Sequence, residues 1–351
     1  MPPEGPPKLP AAPLRLIVDH DALAANWHTL DRLSGTARAG AAVKANGYGL
    51  GARAAVRTLG NAGCRDFFVA HWQEAEALLD LVDPASISVL HGPATSDEAR
   101  WAKAAGVRPA LNSLDQVARW RSVGGGPCDI MVDTGINRLG LALSDLGDPA
   151  IAALDIDIAM SHLACADEDN PRNAVQMARW REACGVLQPR RASLANSAGI
   201  ALGAAYHGDL TRPGLALYGG IPRAEFENEI AQVARIETMV LQVREIAAGE
   251  GVGYNATFTA PHPLRIGTVA LGYADGFLRA WSDCGMLRSN GSPLPVIGRV
   301  SMDMSGIDLS AAPDVREGDW VEVDYALPAA AQASGLSQYE LLTILGQRFS
   351  R

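Results

Sequence analysis

Between about residue 38 and residue 220, short apolar runs alternate with stretches whose apolar positions recur every three or four residues. The short runs have β character: GAAVKAN (40–46), FFVA (67–70), SISVLH (86–91), VRPALN (107–112), DIMVD (129–133), IDIAMSH (156–162), RASLAN (191–196) and DLTR (209–212). Helical patterns separate them: ARAAVRTLGNAG (52–63), EAEALLDLV (74–82), DEARWAKAAG (97–106), LDQVARWRSV (114–123), a run near Ser144–Leu154 and NAVQMARWREACGVL (173–187). The last two strands are followed only by short helical candidates, ending in GLALYGG (214–220). Eight strand–helix alternations predict a (β/α)8 barrel, with any active site at the C-terminal ends of the strands. An open doubly wound sheet is the alternative, but it normally carries a G-x-G-x-x-G turn after its first strand, which this sequence lacks.

The pattern changes after about residue 230. ARIETMVLQVREI, VGYNATFTA, GTVALGYAD, MLRSNGSPLPVIG and DWVEVDY read as strands, and Asn290-Gly291 marks a hairpin. LSQYELLTILGQRF reads as a terminal helix, with Ser337 and Glu340 forming a capping box. LRLIVDHDALAANWHTLDRL, ahead of the barrel, predicts a strand and an amphipathic helix. The expected fold class is α/β: a flexible proline-rich tail over 1–13, a (β/α)8 barrel over 14–230 and a mainly β-strand domain over 231–351.

With 351 residues and 48% hydrophobic content, the chain is long enough for two domains. A net charge of −9, with no basic cluster, argues against nucleic acid and anionic membranes as partners. No apolar run reaches membrane-spanning length, and MPPEGPPKLPAAP lacks the apolar segment of a secretion signal. The five cysteines are scattered without CxxC spacing, implying neither disulfides nor zinc, and a reducing cytoplasm fits.

The candidate chemistry centres on Lys44, at the end of an apolar strand and ahead of the glycine-rich turn NGYGLG. A buried lysine cation is unfavourable unless its amine is neutralised, and condensation with an aldehyde does that. A side chain that merely reaches out to solvent is the competing reading. In a barrel, the residues just past each strand converge on one mouth: Lys44, His71, His91, Asn112, the loop after Asp133, His162, Asn196 with Ser197, and Arg212. An amine, hydroxyls and arginines of this kind suit a phosphorylated pyridine aldehyde. His71 and His91 read equally as ordinary loop histidines.

The string VKANGYGLG closely resembles the lysine motif of the alanine racemases, which is usually VKANAYGHG, so Gly47 and Leu50 depart from it. DTGINRLG (133–140), SHLACAD (161–167), NSA (196–198) and RPGLALYGG (212–220) resemble further motifs of that family, and the likeness runs through nearly the whole chain beyond the tail. It implies pyridoxal 5′-phosphate as cofactor. Lys44 would carry it, Tyr48 and Ser197 (with Asn196 alongside) would meet its phosphate, and the amides of Gly214 and Leu215 would complete that contact. Arg138 would meet its phenolic oxygen and the substrate carboxylate. His162 would pack on its ring and bond to Arg212, which would face the ring nitrogen, and Asp167 would sit on the substrate path. In VGYNATF, LGYADGF and RVSMDM, Tyr254 would be a second catalytic base, Tyr273, Met302 and Asp303 would contact substrate, and Arg299 would line the entrance.

The resemblance further implies a homodimer whose active sites are each built from two chains. It also implies that the strand near residue 14 joins the C-terminal domain. The function implied is interconversion of L- and D-alanine with Lys44 and Tyr254 of the partner subunit as the two bases, supplying D-alanine for peptidoglycan. A phenol titrates near ~10 and needs nearby cations to act as a base, for which His162 and Arg212 are the candidates. A broad-specificity racemase taking serine or larger residues is the alternative. Arg212 argues against the basic amino-acid decarboxylases of the same barrel, which place a carboxylate at the ring nitrogen. The attached β domain argues against a non-catalytic cofactor carrier. Two departures stand out: Met131 occupies the position of a lysine that often buttresses the motif arginine, and no tyrosine follows the terminal basic segment QRFSR.

Overall fold

The computed structural model describes residues 9–350, so residues 1–8 of the expected tail lie outside the described residues. The chain divides into two compact units. One is Asp19–Val233; the other joins the described residues up to Val18 to those from Ala234 onward.

In the Asp19–Val233 unit, seven parallel strands form one sheet in sequence order: Ala41–Ala42, Phe67–Val69, Ile87–Val89, Arg108–Leu111, Pro127–Met131, Asp155–Met160 and Arg191–Ser193. Leu210–Thr211 closes the ring. It pairs in parallel with Arg38–Ala39, just ahead of the first strand, and on its other side the Arg212 amide donates to the Ala195 carbonyl at 2.8 Å. The eight strands predicted from the sequence are therefore present, though most are shorter than the apolar runs that announce them. Helices Ala52–Ala62, Ser96–Ala105, Leu114–Ser122 and Arg172–Leu187 cover the outside. The pattern at 74–82 overreads its helix: only Trp72–Glu76 is helical, and the rest is turn. Near Ser144–Leu154 the helix is broken into a 3₁₀ turn, Leu143–Asp145, and a single turn that opens on a proline, Pro149–Ala152.

The barrel floor, at the N-terminal ends of the strands, is ionic. Arg108 lies 3.2 Å from Asp66, 3.3 Å from Asp129 and 3.2 Å from Asp157. Arg191 bridges Asp66 and Asp157 at 2.8 and 2.7 Å. Asp129 is wholly buried and also accepts from the Ser88 hydroxyl at 2.6 Å and the Ile158 amide at 3.1 Å. Burial pushes its carboxyl above the usual range, against the opposing pull of Arg108 and Ser88.

The second unit is organised by the 13-residue strand Ala234–Ile246. Its first half pairs antiparallel with Leu14–Val18 and with Trp320–Val323, and its second half pairs with Leu264–Val269 past an irregularity between Val240 and Gln242. Strands Ser305–Asp308, Ser292–Ile297 and Met286–Ser289 complete a seven-stranded sheet that returns to the long strand. The Asn290-Gly291 hairpin forms, with both residues at positive φ (50° and 84°) and Ser289 opposite Ser292. This unit is not purely β: Leu327–Ser334 is an unanticipated helix, and the terminal helix is only Gln338–Thr343, although its Ser337–Glu340 capping box is present. Among the described residues no helix is long and apolar enough to cross a membrane.

Removing one partner of a buried ion network leaves uncompensated charge. Arg108→Met should therefore destabilise the protein by about 3–5 kcal/mol. Asp129→Asn should cost clearly less, because burial already disfavours the Asp129 carboxylate. Urea midpoints of the two variants check this; equal losses would contradict the assignment of Arg108 as the hub.

Candidate active site

The first barrel strand ends before Lys44, which opens a left-handed turn rather than extending the strand. Ala45, Asn46 and Gly47 have φ of 53°, 53° and 63°, and Tyr48 has φ of 53°. L-residues in this conformation lose roughly 1–2 kcal/mol each, a penalty Gly47 escapes. An alanine there would bring its Cβ within 3.0 Å of the Ala52 nitrogen, so the departure at Gly47 relieves the turn. The Ala52 amide donates to Asn46 Oδ1 at 2.9 Å, and the Ala45 amide donates to Glu74 Oε1 at 2.6 Å.

Tyr48 is buried and stacks on Tyr218, their ring centroids 4.8 Å apart at 23°. Tyr218 donates its hydroxyl to the Ala42 carbonyl at 3.0 Å. A Cβ on Gly214 would sit 2.2 Å from the Tyr48 hydroxyl, so only glycine lets backbone and phenol meet. Ser197 Oγ accepts from the amides of Gly214 at 2.9 Å and Ala216 at 3.2 Å. The Leu215 amide lies between them, in the first turn of Leu215–Tyr218, where amides have no partner within the helix. Two hydroxyls and a run of amides thus surround one spot, a cradle suited to a phosphate. Asn196 acts on the backbone: its Oδ1 accepts from the Gly199 amide at 2.8 Å and caps Ser197–Ala201.

Arg212 is buried and donates to the Ser193 carbonyl at 2.7 Å, to Ser193 Oγ at 2.5 Å and to the Ser161 carbonyl. All three acceptors are neutral, and its pKa is lowered to about 10 by burial, with Asp129 pulling the other way. It is still charged at neutral pH. The bond expected from His162 to Arg212 is replaced by these serine contacts. Nor is His162 a cation: burial, then Arg212, Arg138 and Lys44, push its pKa down to about 3. Burial also lowers the pKa of Lys44, as do Arg138 and, more weakly, Arg212, while Glu74 opposes them. The loop carrying Arg138 is shaped by Asp133, whose Oδ1 accepts from the amides of Gly135, Ile136 and Asn137 at 2.8, 3.0 and 3.2 Å. The exposed Arg138 guanidinium makes no hydrogen bond or ion pair among the described residues, and Met131 is buried at 8% exposure.

Lys44, Tyr48, Arg138, His162, Asn196, Ser197, Arg212, Gly214 and Leu215 therefore all belong to the barrel unit. Asp167 is exposed on the loop after His162. Tyr254, Tyr273, Met302 and Asp303 belong to the other unit. Tyr254 lies in a 3₁₀ turn rather than a strand, 69% exposed, beside a groove of about 400 Å³ lined also by Arg299, Ser301 and Met304. The Tyr273 amide donates to the Ser301 carbonyl at 2.9 Å and the Ala274 amide to the Met302 carbonyl at 3.0 Å. Arg348 joins Asp275, at 2.7 and 2.9 Å, to Asp303 at 2.6 Å. Sequence reasoning missed Glu74, Tyr218, Ser193 and Arg348. Tyr218 stood within the RPGLALYGG string; the others carried no signal beyond a polar residue in a helix, strand or terminus.

The alanine racemase N-terminal domain family matches residues 18–222, and the alanine racemase C-terminal domain family matches 233–351. The alanine racemase of Rhodospirillum rubrum is 44% identical over 96% of this chain and 94% of its own. The catabolic alanine racemase of Agrobacterium fabrum is 42% identical over 96% of this chain and 91% of its own. Among solved structures, alanine racemase from Bartonella henselae with covalently bound pyridoxal phosphate superposes with a TM-score of 0.90 at 35% identity, covering 97% of this chain and 99% of that one.

A neutral His162 has a measurable consequence. In the folded protein its ring proton resonances should stay fixed from about pH 8 down to about pH 5, whereas a free histidine titrates near ~6.5. The unfolded chain takes up this proton below ~6.5 while the folded chain does not until about 3, so the shift removes stability as pH falls through that window. A titration with a midpoint between about 6 and 7 at His162 would overturn the assignment.

Proposed function

Because this chain belongs to the alanine racemase family, we propose that its barrel mouth racemises alanine with pyridoxal 5′-phosphate attached through Lys44, and that Tyr254 of a second copy acts as the opposing base. The observation that carries this reading is the convergence of the amine Lys44, the hydroxyl–amide cradle at Tyr48, Ser197 and Gly214, and the uncompensated Arg212 at one mouth. The cofactor supplies an electron sink that acidifies the amino acid's Cα.

Lys44 is suited to attachment and then to proton transfer at Cα, because burial and two arginines favour its neutral amine. Arg212 stays protonated, so it would donate to the pyridine nitrogen without giving up its proton. It thereby keeps the sink weak and favours return of the proton to Cα over transamination. Neutral His162 would support the pyridine face by packing and would bring no charge to it. Arg138, without a partner of its own among the described residues, is free to meet the cofactor's phenolic oxygen and the substrate carboxylate. Asn196 contributes by capping the Ser197 helix. Asp167 would lie on the substrate path.

Tyr254 sits in an exposed patch with Arg299 and Met304, which suits completion of the site of a second copy. Tyr273, Met302 and Asp303 would bound the substrate there, Asp303 being held by Arg348. Such a site needs a homodimer. We place the enzyme in the cytoplasm and its D-alanine in peptidoglycan synthesis, a role that rests on the family resemblance.

The lysines of the chain are Lys8, Lys44 and Lys103, so attachment is easily mapped. Purified protein should convert L-alanine to D-alanine, and borohydride should fix the cofactor mass on the Lys44 peptide. Label on Lys8 or Lys103 would refute the assignment.

Tyr254→Phe should leave the protein folded and yellow. In deuterated water it should exchange the Cα proton of D-alanine, through Lys44, much faster than that of L-alanine. Equal exchange of both enantiomers would mean that one base serves both faces.

A further inference from the structure

Glu74 begins no recognised motif, yet its carboxylate is committed at both oxygens. Oε1 accepts from the Ala45 amide at 2.6 Å and Oε2 accepts from the Ala70 amide at 2.7 Å. Its side chain is 15% exposed. One acceptor thus spans the residue immediately after Lys44 and the end of the neighbouring strand Phe67–Val69. The turn it grips is the left-handed one, in which three non-glycine residues, Ala45, Asn46 and Tyr48, hold positive φ. A conformation that L-residues avoid persists only where surrounding bonds fix it.

We propose that Glu74 is a positioning residue for the racemisation: by bridging the Ala45 and Ala70 amides it holds the left-handed turn that presents Lys44 and Tyr48 to the same mouth. The inference rests on Lys44 being the attachment lysine. Glu74 is also the carboxylate that offsets Arg138 and Arg212 in the field at Lys44. The groups around this pair are Arg138, Arg212 and His162 on the Lys44 side, and His71, whose Nε2 lies 4.0 Å from Glu74 Oε1. A glutamine at this position keeps the size and one acceptor but loses the charge and the second acceptor. An alanine loses all of them.

The test uses the holoenzyme of wild type, Glu74→Gln and Glu74→Ala. Glu74→Gln should still bind cofactor at Lys44, with kcat reduced at least about tenfold and KM for alanine within about threefold. The visible absorbance of the bound cofactor should titrate at lower pH than in wild type, because the carboxylate that favours a protonated lysine nitrogen is gone. Glu74→Ala should show the same displacement, larger. If Glu74→Ala fails to fold, Glu74→Gln alone decides. A Glu74→Gln holoenzyme with wild-type kcat or with an unshifted spectral titration, even if less heat-stable, would reduce Glu74 to a structural cap and overturn the proposal. Borohydride mapping of the wild type separates the two claims. Label away from Lys44 defeats the attachment reading, whereas label on Lys44 with no shift in Glu74→Gln defeats only this one.

Discussion

Three basic side chains, Lys44, Arg138 and Arg212, share the barrel mouth; the two arginines act on Lys44, and all three act on His162. In a chain of net charge −9 such a concentration is a local reversal of sign. Its effects are visible in the titrating groups nearby. The Lys44 amine is biased toward neutrality, His162 is held neutral, and Arg212 is satisfied by carbonyls and a hydroxyl instead of a carboxylate. A site of this kind is incomplete electrostatically until an anion enters, and its hydroxyl and amide lining suits a phosphate.

The opposite end of the same barrel carries the complementary imbalance. Two arginines there hold three aspartates, and the deepest of these, Asp129, is the group that counters burial at Arg212. Barrel interiors are usually filled with branched apolar side chains. Here the polar floor and the basic mouth lie in one field, so a change of charge at the floor is transmitted to Arg212 without any contact between them. The ion network therefore does more than fill space beneath the site.

The strand–helix alternation was legible because apolar runs bounded by turns carry their own period. Its boundaries were not: GAAVKAN reads as a continuous strand, yet the chain reverses hand after Lys44, and nothing in the apolar pattern reports the sign of φ. The hairpin at Asn290-Gly291 was readable for the converse reason, since that dipeptide is selected for positive φ. At the site, Lys44, Ser197 and Arg212 stood out through their strings. That Asn196 caps a helix and that Arg212 bonds to Ser193 rather than to His162 was not readable, because such contacts depend on what packs against a residue from distant segments. Glu74 and Ser193 could not be found at all, since their importance lies in which backbone or guanidinium groups they meet. The ionic floor was equally hidden, although Asp66, Arg108, Asp129, Asp157 and Arg191 each lie within or just before a strand.

Leu14–Val18 pairs with Ala234–Ile246, so the first strand of the second unit is made long before its partners. During synthesis the whole of Asp19–Val233 must emerge between them, on the order of 10–40 s at ~5–20 residues per second. Only at the end of that interval does the barrel have all of its own strands, and Leu14–Val18, with Leu14 and Leu16 destined for burial, still has no sheet to join. A lone apolar strand is an aggregation hazard. Its brevity, five residues with Arg15 in their midst, is a safeguard that the finished fold does not need and the nascent chain does.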